Sequence, residues 1–465
     1  MNRLLLTKSR SGVCLAAALA VLAGPARAAA DPPDQTQREI PPGLRGTDWP
    51  RFLGPAGNGQ SSETGILTAW PPAGPPLVWH RKLGTGYGIG SVARGRFFQL
   101  DRWENQARLT CMDARSGELL WKFEYPTDYE DQVGYNNGPR SSPVIDEDRV
   151  YIYGAEGMLH CVRAQDGKPL WKIDTVQRFG VVQNFFGVGS TPVVQGDLLI
   201  VMVGGSPAES QSAGRFTMDR VKGNGTGLVA FDKRTGAVKY AVTDELASYS
   251  TPQLATIGQR RWCFLFARDG LVGLDPHSGT VDFHFPWRSR LHDSVNASTP
   301  VVVGDEVFIS EAYGPGSCLL RVRPGGCAVV WCDPPGRDKA MQCHWNTPIY
   351  HEGYLYGCSG RYSGTAELRC IQWQTGKVMW SQPGLGLASL LYADGHFVCL
   401  SEDGLLRLVK ATPERYCELA KAAVREKPDG PLLIKPPAWA APILSHGLLY
   451  LRGDDRLVCL RLIDG

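Results

Sequence analysis

The sequence predicts an all-β protein, an eight-bladed β-propeller of four-stranded antiparallel blades closed by a strand from the N-terminal side. Three observations carry this. One phrase recurs along the chain, a second signature precedes each copy, and the last copy ends one strand short of a full blade. Self-similarity at a period of about 40–50 residues marks propeller blades.

The recurring phrase is a strand, then Asp-x-x-Ser/Thr-Gly, then three residues, then an aromatic. It reads LTCMDARSGELLWKF from Leu109 and returns from Leu159, Leu228, Leu271 and Leu368. A degraded copy starts at Leu319, and copies without the glycine turn start at Leu406 and Leu457. The aromatics are Trp121, Trp171, Tyr240, Phe283, Trp331 and Trp380, separated by 50, 69, 43, 48 and 49 residues, which suits one blade per copy. The chemistry is that of a hairpin. Asp113 can accept hydrogen bonds from its own downstream backbone, and Gly117 supplies the positive φ that closes a short loop. Leu119, Trp121 and Phe123 then alternate with polar residues, the period of a half-buried strand.

The second signature is a small pair, often with Pro, followed by an aliphatic run. It occurs at Gly90 in weak form, then at Ser141, Ser190, Ser250, Ser298, Asn346, Ala388 and Ala440. Each copy is expected to open the innermost strand of a blade, where a leading Pro is tolerated. Counting them gives eight. The last blade lacks an outer strand because the chain stops at Gly465, so LVWHRKL, Leu77 to Leu83, is expected to supply it and leave no free sheet edge. Pro413 to Glu426 reads locally as a helix. The repeat register instead requires the outer strand of blade 7 there, and the register is followed.

Composition narrows the function. Lys and Arg number 49 against 46 Asp and Glu, a net charge of +3, with no electrostatic footprint for nucleic acid. Arg3, Lys8 and Arg10 precede an apolar run from Gly12 to Ala23 and the cleavage pattern Ala26-Arg27-Ala28. Residues 1–28 therefore read as an export signal, too short in its apolar part for the ~20 residues that span a bilayer. The expected product is a soluble, monomeric protein of the periplasm or extracellular space without a membrane span. Residues 29–75 form a Pro-rich extension and 76–465 the propeller.

The stretch Ala230 to Gly236, followed by Tyr240, resembles the tryptophan-docking repeat of quinoprotein alcohol dehydrogenases and of their cofactor-free relatives, the BamB-like outer-membrane assembly factors. Asp48 to Gly59, DWPRFLGPAGNG, resembles the opening of secreted quinoprotein-like propellers of planctomycete-type bacteria and is expected to pack on the ring. The resemblance implies that Trp79, Trp121, Trp171, Tyr240, Phe283, Trp331 and Trp380 each dock on a small residue of the next blade. It implies that Cys111, Cys161 and Cys370, six residues before their turn glycines, are those small residues, buried and reduced. It leaves two functions open. The first is a non-catalytic binding or assembly scaffold of the cell envelope, with no cofactor and a protein or polysaccharide partner. The alternative is an alcohol or polyol dehydrogenase dependent on pyrroloquinoline quinone (PQQ) and Ca²⁺. The quinoprotein dehydrogenases stack the quinone against a disulfide of adjacent cysteines, and this chain has no Cys-Cys pair. Trp345 beside His344 is the available platform, and Glu311 with Asn296 the available oxygen pair for a hard cation. The nine His show no metal-ligand spacing, so no metal site is expected.

Inner strands begin and second strands end on one face of a propeller. That places Arg140, Asn296, Glu311, His344, Trp345 and Arg361 as candidate channel-mouth residues, with Phe185, Phe186, Arg268, Tyr313, Tyr362 and Glu402 nearby. Such a set reads either as a binding cleft or as a rim of internal salt bridges. The insertion Gly204 to Gly227 in blade 3 reads as a lid or as a loose loop. One disulfide is expected within the group Cys327, Cys332, Cys343 and Cys358.

Overall fold

The computed structural model describes residues 46–182, 185–213, 215–427 and 429–464; the expected export signal and the stretch up to residue 45 lie outside them. The described residues form eight four-stranded antiparallel sheets. Blades 1 to 7 occupy 91–126, 144–174, 193–242, 253–286, 301–332, 349–383 and 388–423, each running from inner to outer strand in chain order. Blade 8 takes three strands from 443–461 and its outer strand from Leu77–Lys82, which pairs antiparallel with Arg456–Arg461 and sets Trp79 opposite Cys459. Residues Glu418–Ala423 are the outer strand of blade 7, so tertiary pairing overrides a locally helical composition. No described helix is long and apolar enough to cross a membrane.

The repeated turn forms as its chemistry requires. Asp113 Oδ1 accepts from the amides of Arg115 and Ser116 at 3.0 and 2.9 Å, while the Gly117 amide closes on the Asp113 carbonyl at 2.9 Å. Gly117 has φ +66°, and a Cβ there would lie 2.6 Å from the indole of Trp79. Glycine thus serves both the turn and the arrival of the neighbouring ring.

This arrival holds the ring of blades together. Trp79 of blade 8 lies on Gly117 of blade 1, Trp121 on Gly167 of blade 2, Trp171 on Gly236 of blade 3, Tyr240 on Gly279 of blade 4, and Trp331 of blade 5 on Gly376 of blade 6. The polar tip of each ring donates to a carbonyl of the receiving turn. These bonds run from Trp79 to Ala114 at 3.1 Å, Trp121 to Ala164 at 3.2 Å, Trp171 to Lys233 at 3.2 Å, Tyr240 to Pro276 at 2.6 Å, Trp331 to Trp373 at 2.8 Å and Trp380 to Thr412 at 2.9 Å. The small residue that receives the neighbour is therefore the turn glycine. Cys111, Cys161 and Cys370 instead face Trp121, Trp171 and Trp380 across their own sheets. Each cysteine sits on the third strand, where the hairpin brings its own aromatic opposite it ten residues later, while the turn glycine between them is what meets the neighbouring blade. Burial pushes those three thiols up to about 12, which keeps them protonated.

The disulfide also departs from expectation. It joins Cys318 and Cys332, directly opposed on the third and fourth strands of blade 5, with Cα atoms 4.0 Å apart. Cys327, Cys343 and Cys358 are free. Direct opposition on adjacent strands brings Cβ atoms within bridging range, and sequence grouping alone does not report it.

Residues 46–66 cross the face where inner strands turn outward. Trp49 bridges to Val92 of blade 1, Pro50 accepts from the Ile145 amide of blade 2, and Ala56 accepts from Gln253 of blade 4. Gln60 and Ser61 donate to Tyr350 and Tyr392 of blades 6 and 7. Glu63 accepts from the amides of His446 and Gly447 in blade 8, both at 2.7 Å. The segment caps one end of the central channel and brings Phe52 and Leu53 to its axis.

Candidate functional site

With one end capped, the channel becomes a blind cavity of about 660 Å³ that opens where the inner strands begin. Ligand sites run to about 300–1,000 Å³. Phe52 and Leu53 make the floor. The starts of the inner strands make the wall, with Ile89 from blade 1, Thr191 from blade 3, Thr251 from blade 4, Ala297 from blade 5, Thr347 from blade 6, Ser389 from blade 7 and Ala440 from blade 8. The second signature of the sequence is thus the cavity lining, and its small residues leave the axis open.

Aromatic rings occupy the rest. Trp439 lies at the centre, with ring centroids 4.7 Å from Tyr87, 4.7 Å from Trp345 and 5.7 Å from Tyr135. Tyr135 continues to Phe186, and Phe186 to Tyr249. On the other side Trp345 meets His344, which meets Tyr313. Tyr135 and Tyr362 are 56% and 62% exposed, so the mouth is rimmed by aromatic surface that the fold does not bury.

Arg140, His344, Trp345 and Arg361 line this cavity. Arg140 is ion-paired with Asp131, whose side chain is fully buried, and its guanidinium lies over Tyr87, Tyr129 and Phe186. Arg361 pairs with Asp293 at 3.3 Å and lies 4.0 Å from the Tyr313 ring. Nε2 of His344 shares a hydrogen bond of 3.0 Å with the Tyr313 hydroxyl, and burial lowers its pKa to about 4, so the imidazole is neutral. Asn296 and Glu311 do not line the cavity. The Asn296 amide is committed to the carbonyls of Ala267, Arg268 and Trp287, which tie two loops together. Glu311 accepts from the Tyr313 amide within the core, and burial raises its pKa to about 7.

Other rim polar groups are spent on the fold. Arg268 binds Asp219 and the His292 carbonyl, and Glu156 accepts from Tyr125 and Thr127. The blade 3 insertion lies outside the lining; its Met218 and Val221 pack with Phe185 and Tyr313 and back the wall. Tyr87, Tyr135, Tyr249 and Trp439 are wall aromatics that sequence reasoning missed. Each lies in a loop that leads into an inner strand, Trp439 immediately before the AAPIL copy.

A quinone with Ca²⁺ needs several oxygen donors converging on the cation. Among the described residues no group of three or more His, Cys, Asp or Glu is placed to hold a metal. Of the two lining carboxylates, Asp293 is ion-paired with Arg361, which leaves Glu402 as a single carboxylate where a hard cation needs several donors. The only disulfide among the described residues lies in the outer half of blade 5, away from the lining. The residues present do not fit the cation of that pair.

A family model described as "Outer membrane protein assembly factor BamB" matches residues 105–356. No curated protein matches the chain. BamB from Moraxella catarrhalis superposes with a TM-score of 0.53 at 13% identity, over 82% of this chain and 96% of that one. Quinohemoprotein alcohol dehydrogenase from Comamonas testosteroni gives 0.59 at 13% identity, over 89% of this chain and 80% of that one. At such identities the superpositions show a shared fold. The family match covers more than half of the sequence and coincides with the repeat and its docked aromatics, so the chain belongs to the PQQ-like repeat β-propeller family whose model is that of BamB.

Proposed function

We propose that this protein is a non-catalytic binding scaffold of the cell envelope, exported through its N-terminal signal, and that it takes its ligand or partner at the mouth of the central cavity. The observation that carries this reading is the asymmetry of the channel. The chain seals one end with its own residues 46–66 and leaves the other rimmed by unburied Tyr135 and Tyr362. The state of the lining groups supports a scaffold over a catalyst. His344 is neutral and held by Tyr313, both arginines are ion-paired, and Glu402 is held by two neutral donors. Among the described lining residues the one hydroxyl–imidazole pair is Tyr313 with His344, and burial pushes the tyrosine up and the histidine down to about 4, which readies neither as a nucleophile or a base.

Trp345 and Trp439 give the site its own reporter. Titration with envelope-derived peptides and oligosaccharides is expected to produce a saturable change in tryptophan fluorescence with one of the two classes. The double variant Tyr135→Ala and Tyr362→Ala should weaken it at least tenfold. Binding unaffected by that variant would place the site elsewhere.

A second reading, the PQQ-dependent dehydrogenase, draws on the flat aromatic wall and on two guanidinium groups of a kind that suits quinone carboxylates. It requires quinone absorbance in the purified protein, or dye-linked alcohol oxidation after adding PQQ with Ca²⁺. Neither is expected.

A further inference from the structure

We propose that the cavity selects a cationic ligand, a protonated or quaternary amine seated against Trp439 with Glu402 as its counter-ion. This rests on the reading of the cavity as a ligand site.

The charged groups of the lining are answered within the fold, with one exception. Arg140 is answered by Asp131 and Arg361 by Asp293. His344 adds no charge near neutral pH, since burial lowers its pKa to about 4. Glu402 remains. Its Oε2 accepts from the Trp439 indole at 3.3 Å and its Oε1 from the Leu387 amide at 3.0 Å. Among the described residues no Lys, Arg or His forms an ion pair with it. Both donors are neutral, so the wall keeps a carboxylate whose charge nothing in the lining cancels.

The placement of that carboxylate matters as much as its charge. The indole that holds Glu402 is the ring that also meets Tyr87, Trp345 and Tyr135. Aromatic faces attract cations through their quadrupole, and the cavity already uses this, with Arg140 over Phe186 and Arg361 over Tyr313. A ligand ammonium beside Trp439 would gain ring faces and a carboxylate together. A half-buried carboxylate beside aromatic walls is poorly solvated, and it gains most from a partner of opposite charge. An anionic ligand meets the reverse. It faces Glu402 uncompensated, and to reach either guanidinium it must compete with Asp131 or Asp293. The charges of this wall therefore disfavour a polycarboxylate quinone and favour an amine.

Three probes of similar size separate the possibilities: benzyltrimethylammonium, benzyl alcohol and benzoate, each titrated at low salt with tryptophan fluorescence as readout. The ammonium is expected to bind at least tenfold more tightly than the alcohol, and benzoate more weakly than the alcohol. Glu402→Gln keeps an acceptor for Trp439 and is expected to abolish the tenfold preference for the ammonium over the alcohol. Benzoate binding as tightly as the ammonium would overturn the proposal, as would a Glu402→Gln variant that keeps the wild-type preference. If Glu402→Gln does not fold, the wild-type ranking of the three probes decides by itself. If the alcohol and benzoate bind and the ammonium has no advantage, the cavity stands as a ligand site and its charge selectivity falls. If none of the three binds and no envelope ligand does either, both readings fall together.

Discussion

Six of the eight joints between blades are closed by the same device, and two are not. At the six, an aromatic from one outer strand reaches the neighbouring turn and donates to its backbone. Between blades 4 and 5 the wedge is Phe283, which has no donor and turns back onto Gly273 of its own sheet. That joint is filled instead by stacked Trp262 and Phe264, with Cys318, Cys327 and Cys332 packed on the same cluster. Between blades 7 and 8 the aromatic position holds Ala420, opposite Leu408. There Pro72 accepts from the Ala423 amide, and Trp70 and Ile66 pack against the shared core. The repeat needs each joint closed, but not by one particular side chain. Where the phrase decays, a disulfide and a piece of the N-terminal extension stand in.

The largest effect is expected at a regular joint: Trp171→Ala should cost about 3 kcal/mol, the lower end for an aromatic truncated in a core, because the ring is partly exposed. A urea midpoint at unchanged slope measures it. At the irregular joint, replacing Cys318 and Cys332 together by Ala opens a loop of sequence separation 14 and should cost about 2–3 kcal/mol. Reduction of the wild type should lower its thermal midpoint comparably, and an unchanged midpoint would mean that the 4–5 joint holds without the bridge.

Blade 5 should also be where pH is felt. The folded pKa of Glu311 is raised to about 7 from the ordinary carboxylate value of 4.5, so the folded state holds the proton longer and this group loses stability as pH rises from about 4.5 through 7. His344, lowered to about 4, acts in the opposite sense between 4 and 6.5 and masks part of the loss. Glu311→Gln should therefore raise stability at pH 8 by on the order of 2 kcal/mol and leave it little changed at pH 4. Equal midpoints for variant and wild type at pH 8 would contradict this. The smallest effect is expected from Trp171→Phe, which keeps the wedge and removes only the bond to the Lys233 carbonyl. About 1 kcal/mol is expected, and a loss as large as that of Trp171→Ala would show that the bond, not the packing, closes the joint.

The regular joints explain how much was legible in advance. Asp113 and Gly117 announce a turn because their own chemistry makes one, and the spacing of Trp121 and Trp171 counts blades whatever surrounds them. Contacts between blades are a different matter. Cys111 and Gly117 are both small and near the docked ring, and only the three-dimensional offset of neighbouring sheets tells which of them receives Trp79. Cys318 was passed over because the third strand of blade 5 lies in a degraded copy, where cross-strand opposition cannot be read from spacing. At the cavity, loop position brought Arg140, His344, Trp345 and Arg361 into view. It did not separate them from Asn296 and Glu311, whose polar atoms turn inward to bind backbone. Tyr87, Tyr135 and Trp439 sit in irregular segments without a periodic signal, so only the assembled axis reveals them.

The pairing of Leu77 with Leu460 has a kinetic consequence. Synthesis from the N-terminus makes Leu77–Lys82 long before its partner Arg456–Arg461. Until then two sheet edges lie open, with Trp79 unhoused, and non-local pairings of this kind are slow to form and exposed to aggregation meanwhile. Closure of the ring must wait until both strands have been made. A truncated product, lacking Arg456–Arg461, would carry both edges unprotected and should be recognised by its tendency to associate rather than by any lost activity.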